Sequence, residues 1–205
     1  MLKAVMLWVL GLAVLLGGAV VVCPAGQCFL SDFDRAGLVL AHTLRSAWLD
    51  RLMPGVTWLG SLPLLLPLMG LATWFLLRRG RRREAGFVML ALLGSAALSH
   101  LVKSWVARPR PELFAAWLSM PGTWSYPSAH AMQVTAAALA LILVARHRRA
   151  TWVVPLGFAV LLVGTSRIYL QVHFPSDVIA GTLAAAFWVA GLYALMFRGR
   201  PTTPG

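Results

Sequence analysis

Acidic side chains are scarce in this chain: six Asp and Glu stand against 18 Lys and Arg in 205 residues, and charged residues make up only 12% of the whole. A soluble domain carries about a quarter charged residues, so a water-exposed globule is excluded. The shortage of carboxylates also argues against a site that clusters acids around two metal ions. Recognisable nucleic-acid modules and basic helices are lacking too, so the net charge of +12 is not a nucleic-acid footprint. Cysteine is limited to Cys23 and Cys28, just past the first apolar segment. They form either a small disulfide loop on an oxidising side or two unpaired thiols near an interface.

Apolar residues are abundant, at 60%. This composition predicts an integral membrane protein, all-α, with residues 1–205 forming one domain. Six segments are apolar and long enough to span once their flanks are included: Ala4–Val22, Val56–Leu77, Phe87–Val102, His130–Val144, Trp152–Leu170 and Val178–Phe197. The first can also be read as a cleaved signal peptide, but its length favours a retained helix. Between the first two lies SDFDRAGLVLAHTLRSAWLDRLMPG, with Asp32 and Asp34 as start signals and Pro54-Gly55 as a stop. Ala41, Leu44, Trp48 and Leu52 recur there at helical spacing, which predicts an amphipathic helix at the membrane interface.

The basic residues orient the bundle. Arg78, Arg79, Arg81, Arg82 and Arg83 precede the third span, Arg146, Arg148 and Arg149 precede the fifth, and Lys3, Arg198 and Arg200 lie near the termini. All fall on one side, which the positive-inside rule makes cytoplasmic, with both termini inside. Five of the six acids, all but Glu84, fall on the other side together with Lys103, Arg108, Arg110, His130, Arg167 and His173. Six spans with basic inner loops suit a bacterial inner membrane with a periplasmic site, with a eukaryotic internal membrane and a luminal site as the alternative.

Three stretches on that outer side carry chemistry: KSWVARPRP (Lys103–Pro111), YPSAH (Tyr126–His130) and SRIYLQVHFPSD (Ser166–Asp177). Lys103, Arg110 and Arg167 supply positive charge and N–H donors matched to phosphate oxygens. Ser128 is a natural N-cap, and the helix start behind it offers free N–H groups to an anion. His173 can act as a nucleophile toward phosphorus. Asp177, four residues on, can take the proton-bearing nitrogen of His173 and fix its tautomer. His130 remains as general acid and base.

Together the three stretches resemble the type 2 phosphatidic acid phosphatases. That family's patterns Lys-x6-Arg-Pro, Pro-Ser-Gly-His and Ser-Arg-x5-His-x3-Asp read here as Lys103 to Arg110-Pro111, Pro127-Ser128-Ala129-His130, and Ser166-Arg167 to His173 to Asp177. The resemblance implies hydrolysis of a phosphate ester or diphosphate through a phosphohistidine on His173, with no metal or other cofactor. His130 would be the acid and base, and Lys103, Arg110, Ser128, Ala129 and Arg167 would hold phosphate. It also implies a lipid substrate entering from the outer leaflet: phosphatidic acid, phosphatidylglycerol phosphate or a polyprenyl diphosphate such as the undecaprenyl carrier. Ala129 departs from the family glycine and has less access to positive φ. Spacing from Lys103 makes Arg110 the motif arginine and leaves Arg108 as a headgroup contact.

Other residues read as structural. His100 suits packing, His42 and His147 solvation, and Trp105, Trp117 and Trp124 an interfacial aromatic belt. Ala136–Ala140 and Gly181–Ala186 suit close helix packing. Two other functions remain: a phosphotransferase using the same histidine, and a non-catalytic lipid-phosphate binding or transport protein.

Overall fold

A computed structural model describes residues 1–116, 124–145 and 149–197. Trp117, Arg146, His147, Arg148, Arg198 and Arg200 lie outside them. Among the described residues there are eight α-helices and no strand: α1 (Leu2–Val22), α2 (Asp32–Thr43), α3 (Ala47–Trp58), α4 (Leu62–Arg78), α5 (Arg82–Val106), α6 (Ala129–Val144), α7 (Arg149–Tyr169) and α8 (Pro175–Met196). The architecture is all-α and integral to the membrane. Four of these helices are long and apolar enough to cross it, or five with α3 and α4 taken as one bent span.

The helix boundaries follow local chemistry. Helix α1 stops at Cys23, ahead of Pro24, where the chain turns and Cys23 bonds to Cys28 as a disulfide. The Ser31 and Ser46 hydroxyls cap α2 and α3 by accepting from the Asp34 and Leu49 amides. Gly80, at a φ of 71°, ends α4 in the left-handed region that favours glycine. Phe174 and Pro175 open α8, where Pro175 needs no helical N–H partner.

The region after the first span differs from the expectation. It contains two helices, and the second runs through Pro54 to Trp58. The chain breaks instead at 59–61, with a bend of 48° between α3 and α4. The break lies where Gly60 presses on its neighbours: a Cβ there would sit 2.5 Å from Val163 Cγ1 and 3.2 Å from His130 Cβ. Ser61 and Pro63 then restart the helix.

Helix α6 is the hub, packed against α4, α5, α7 and α8. Residues Ala131 to Ala138 are all buried, because neighbours approach on every side, and the alanines among them admit close helix contact. Gly181 of α8 meets the start of α6 in the same way, its Cβ position 2.9 Å from the Ser128 carbonyl oxygen. Outward, α1, α4 and α7 expose Val5, Val9, Leu71, Phe75, Phe158 and Leu161, the reverse of a soluble protein's polar surface.

Candidate active site

All three chemical stretches meet at one end of the bundle. Lys103 occupies the last turn of α5, Ser128 and His130 open α6, Arg167 closes α7, and Asp177 sits in the first turn of α8. His173 lies between α7 and α8. It reaches the site because Gln171 adopts a φ of 57° and reverses the chain. The Val172 and His173 amides then both point to the Arg167 carbonyl oxygen, at 3.2 and 3.3 Å. The five residues between Arg167 and His173 are the length of this helix end and turn.

His173 and Asp177 are both buried, with Nδ1 3.3 Å from Asp177 Oδ2. The Phe174 amide donates to the same oxygen at 3.0 Å. The charges of Arg167, Lys103, Arg110 and His130 all bear on His173. Burial first, and the charges of Arg167, Lys103 and Arg110 next, hold its imidazole well below the ordinary histidine range, which favours the neutral ring. A neutral ring with Nδ1–H directed at a carboxylate leaves the Nε2 lone pair free.

The cations are fixed by neutral acceptors. Lys103 Nζ donates to the Trp124 and Ser125 carbonyl oxygens at 2.7 and 3.1 Å. Arg110 donates to the Val172 carbonyl oxygen at 2.6 Å, and burial lowers its pKa against the opposing pull of Asp177. Arg167 donates from Nη1 to Thr57 Oγ1 at 2.6 Å, while its buried Nε and Nη2 have no partner among the described residues. Ser128 occupies the N-cap position, but its hydroxyl makes no capping bond and is likewise unpartnered. Buried polar atoms left unpaired on a cationic wall are acceptor-seeking, which suits an anion. Ala129 lies within the helix as its first residue, where the positive φ open to glycine is not used.

Three expectations are corrected. Arg108 is not a headgroup contact: it is 1% exposed and bridges Asp177 Oδ1 at 2.7 Å and Asp34 Oδ2 at 2.8 Å. His42 is not solvated but stacks on Phe114 with ring centroids 3.9 Å apart. His100 is exposed rather than packed. Asp34 and Thr57 lie outside the three stretches, and sequence reading missed both as contributors. Asp34 had been read only as a helix-start signal in the interfacial stretch, and Thr57 only as part of the second span.

A helical bundle that gathers a buried histidine–carboxylate pair and a wall of cations at one end has the make-up of a membrane-embedded phosphate site. The PAP2 superfamily pattern matches residues 84–201. Phosphatidylglycerophosphatase B of Bacillus subtilis is 33% identical over 160 residues, covering 72% of this chain and 75% of its own. Decaprenylphosphoryl-5-phosphoribose phosphatase of Mycobacterium tuberculosis is 39% identical over 111 residues, covering 52% and 58%. The crystal structure of a transmembrane PAP2-type phosphatidylglycerolphosphate phosphatase from Bacillus subtilis superposes with a TM-score of 0.79 at 26% identity, over 99% of this chain and 100% of that one. The chain belongs to the PAP2 superfamily and is a hydrolase of phosphate esters.

Proposed function

We propose that residues 1–205 act as a single membrane domain that removes phosphate from a lipid through a phosphohistidine on His173, without a metal ion. The observation that carries this reading is the buried His173–Asp177 pair surrounded by the charges of Lys103, Arg110 and Arg167. With the Nδ1 proton directed at Asp177, His173 Nε2 attacks phosphorus and the bond to the lipid oxygen breaks. His130 gives its proton to that oxygen. Water then attacks the phosphorus, passing its proton to His130. The P–N bond breaks, phosphate leaves, and His173 returns to its starting tautomer.

Lys103, Arg110, Arg167, the Ser128 hydroxyl and the start of α6 at Ala129 hold the phosphate oxygens as charge builds. Such groups contribute on the order of several kcal/mol in a preorganised site. Asp34 and Asp177 spend their oxygens on Arg108, Ser176 and backbone N–H groups, which supports a mechanism without metal ligands.

Counting α3 and α4 as one bent span and α6 as a short one gives six spans, with α2 at the interface. The site then opens on the periplasmic face of a bacterial inner membrane, and lipid enters laterally. Phosphatidylglycerol phosphate is the favoured substrate, on the strength of the Bacillus relatives.

The test is phosphate release by purified protein in detergent with EDTA, comparing phosphatidylglycerol phosphate, phosphatidic acid and undecaprenyl diphosphate. Release that disappears in His173→Ala, and an acid-labile phosphoryl adduct in the unaltered protein, are expected. Full activity in His173→Ala, or no release from any of the three, refutes the reading.

A further inference from the structure

Asp34 lies in the first turn of α2, in a segment whose sequence suggests contact with the interface, yet it is 0% exposed. A carboxylate taken out of water needs every oxygen satisfied. Asp34 Oδ1 accepts from the Ser176 amide at 2.9 Å. Its Oδ2 accepts from the Ser176 hydroxyl and from Arg108 Nη2, both at 2.8 Å.

Arg108 is held on all sides. Nη1 donates to Ser176 Oγ at 2.9 Å and to Asp177 Oδ1 at 2.7 Å, and Nη2 also reaches the Phe29 carbonyl oxygen at 3.4 Å. The Phe174 ring stacks beneath the guanidinium, 3.8 Å from Cζ. Asp177 is thereby pinned through Oδ1, and its other oxygen is turned toward His173.

We infer that Asp34, acting through Arg108, is a positioning residue that sets the orientation of Asp177 and hence the tautomer and aim of His173. The inference rests on the phosphohistidine reading. The physical reason lies in the planar fork of arginine: with one prong fixed by Asp34, the other can meet Asp177 in one orientation only. Asparagine at 34 would keep the acceptor for the Ser176 amide but lose the charge that anchors the fork. Helix α2 is also seated on α8 through Gly37, where a Cβ would lie 2.4 Å from Pro175 Cγ. Docking of α2 therefore has a second source, and the charge of Asp34 remains for Arg108.

The test compares Asp34→Asn and Asp34→Glu with the unaltered protein in detergent, using phosphatidic acid and 15N-labelled histidine. The His173 signal is assigned by its loss in His173→Gln. The expected spectrum of the unaltered protein has the proton on Nδ1, and Asp34→Asn mixes the tautomers. In Asp34→Asn, kcat falls roughly 10- to 100-fold with KM within about twofold, and Asp34→Glu recovers part of the loss. A folded Asp34→Asn protein whose His173 signal is unchanged overturns the inference. If that variant does not fold, Arg108→Lys replaces it with the same two outcomes, since lysine keeps the charge without bridging both carboxylates. Absence of phosphate release by the unaltered protein would defeat the phosphohistidine reading alone, because the tautomer measurement does not need turnover.

Discussion

Replacing Thr57 by valine removes one oxygen and almost nothing else. Thr57 is buried in α3, and its hydroxyl is the only acceptor found for Arg167 among the described side chains, at 2.6 Å from Nη1. Valine keeps the β-branched shape, so helix packing should survive. What remains is a buried guanidinium with three unpaired edges, since Nε and Nη2 already lack partners. A hydrogen bond to a charged group contributes about 1.5–3 kcal/mol. If that loss falls on the phosphate-bound transition state, kcat/KM drops about 10- to 150-fold. The assay is phosphate release from phosphatidic acid in detergent, with inorganic phosphate inhibition measured alongside. Weakened inhibition should accompany the loss, and Thr57→Ser should restore both. A Thr57→Val protein within twofold of the unaltered one would mean that Thr57 does not set the aim of Arg167.

Three further outcomes are expected. The Cys23–Cys28 bond closes a loop of separation five, so Cys23→Ser/Cys28→Ser should lose about 2 kcal/mol of stability on chain-entropy grounds, read as a lower melting temperature in detergent. Because burial and neighbouring cations keep folded His173 neutral, the unfolded chain alone takes up that proton below about pH 6.5. Stability should therefore fall on acidification, by up to about 1.4 kcal/mol per pH unit for this proton, and His173→Gln should flatten the dependence in melting curves from pH 7 to 5. Gly181→Ala puts a Cβ 2.9 Å from the Ser128 carbonyl oxygen, and overpacking of this kind costs about 1–3 kcal/mol. It should lower both the melting temperature and kcat/KM, whereas Gly55→Ala, whose Cβ would meet nothing within 4 Å, should affect neither.

Some of this was open to reading before any fold was known. Membrane segments announce themselves because lipid demands long apolar runs with internally paired backbone, and α1, α5, α7 and α8, each long and apolar enough to cross, lie on four of the six predicted spans. Gly181 was read as a packing residue, and it is one. The second span was misjudged because Pro54-Gly55 carries a local stop signal that tertiary contacts override. The break falls instead where Gly60 packs closely on His130, a residue seventy positions away in the chain.

Arg108 shows the limit most directly. Next to Arg110, and sharing its Arg-Pro pattern, it looked like a second cation for the substrate. Its direction is set by two carboxylates, Asp34 and Asp177, that lie far apart in the chain. Sequence by itself determined which groups of like kind exist and at what local spacing, because hydropathy and turns of helix act over a few residues. That was enough for the membrane bundle, for His173 one helical turn from Asp177, and for the cations of the three stretches. Only the tertiary structure decided which cation faces the site and which is spent on holding it: Arg167 on Thr57 with two edges open, Arg108 locked between acids. Buried charges must be paired, and pairing partners are chosen by distance in space.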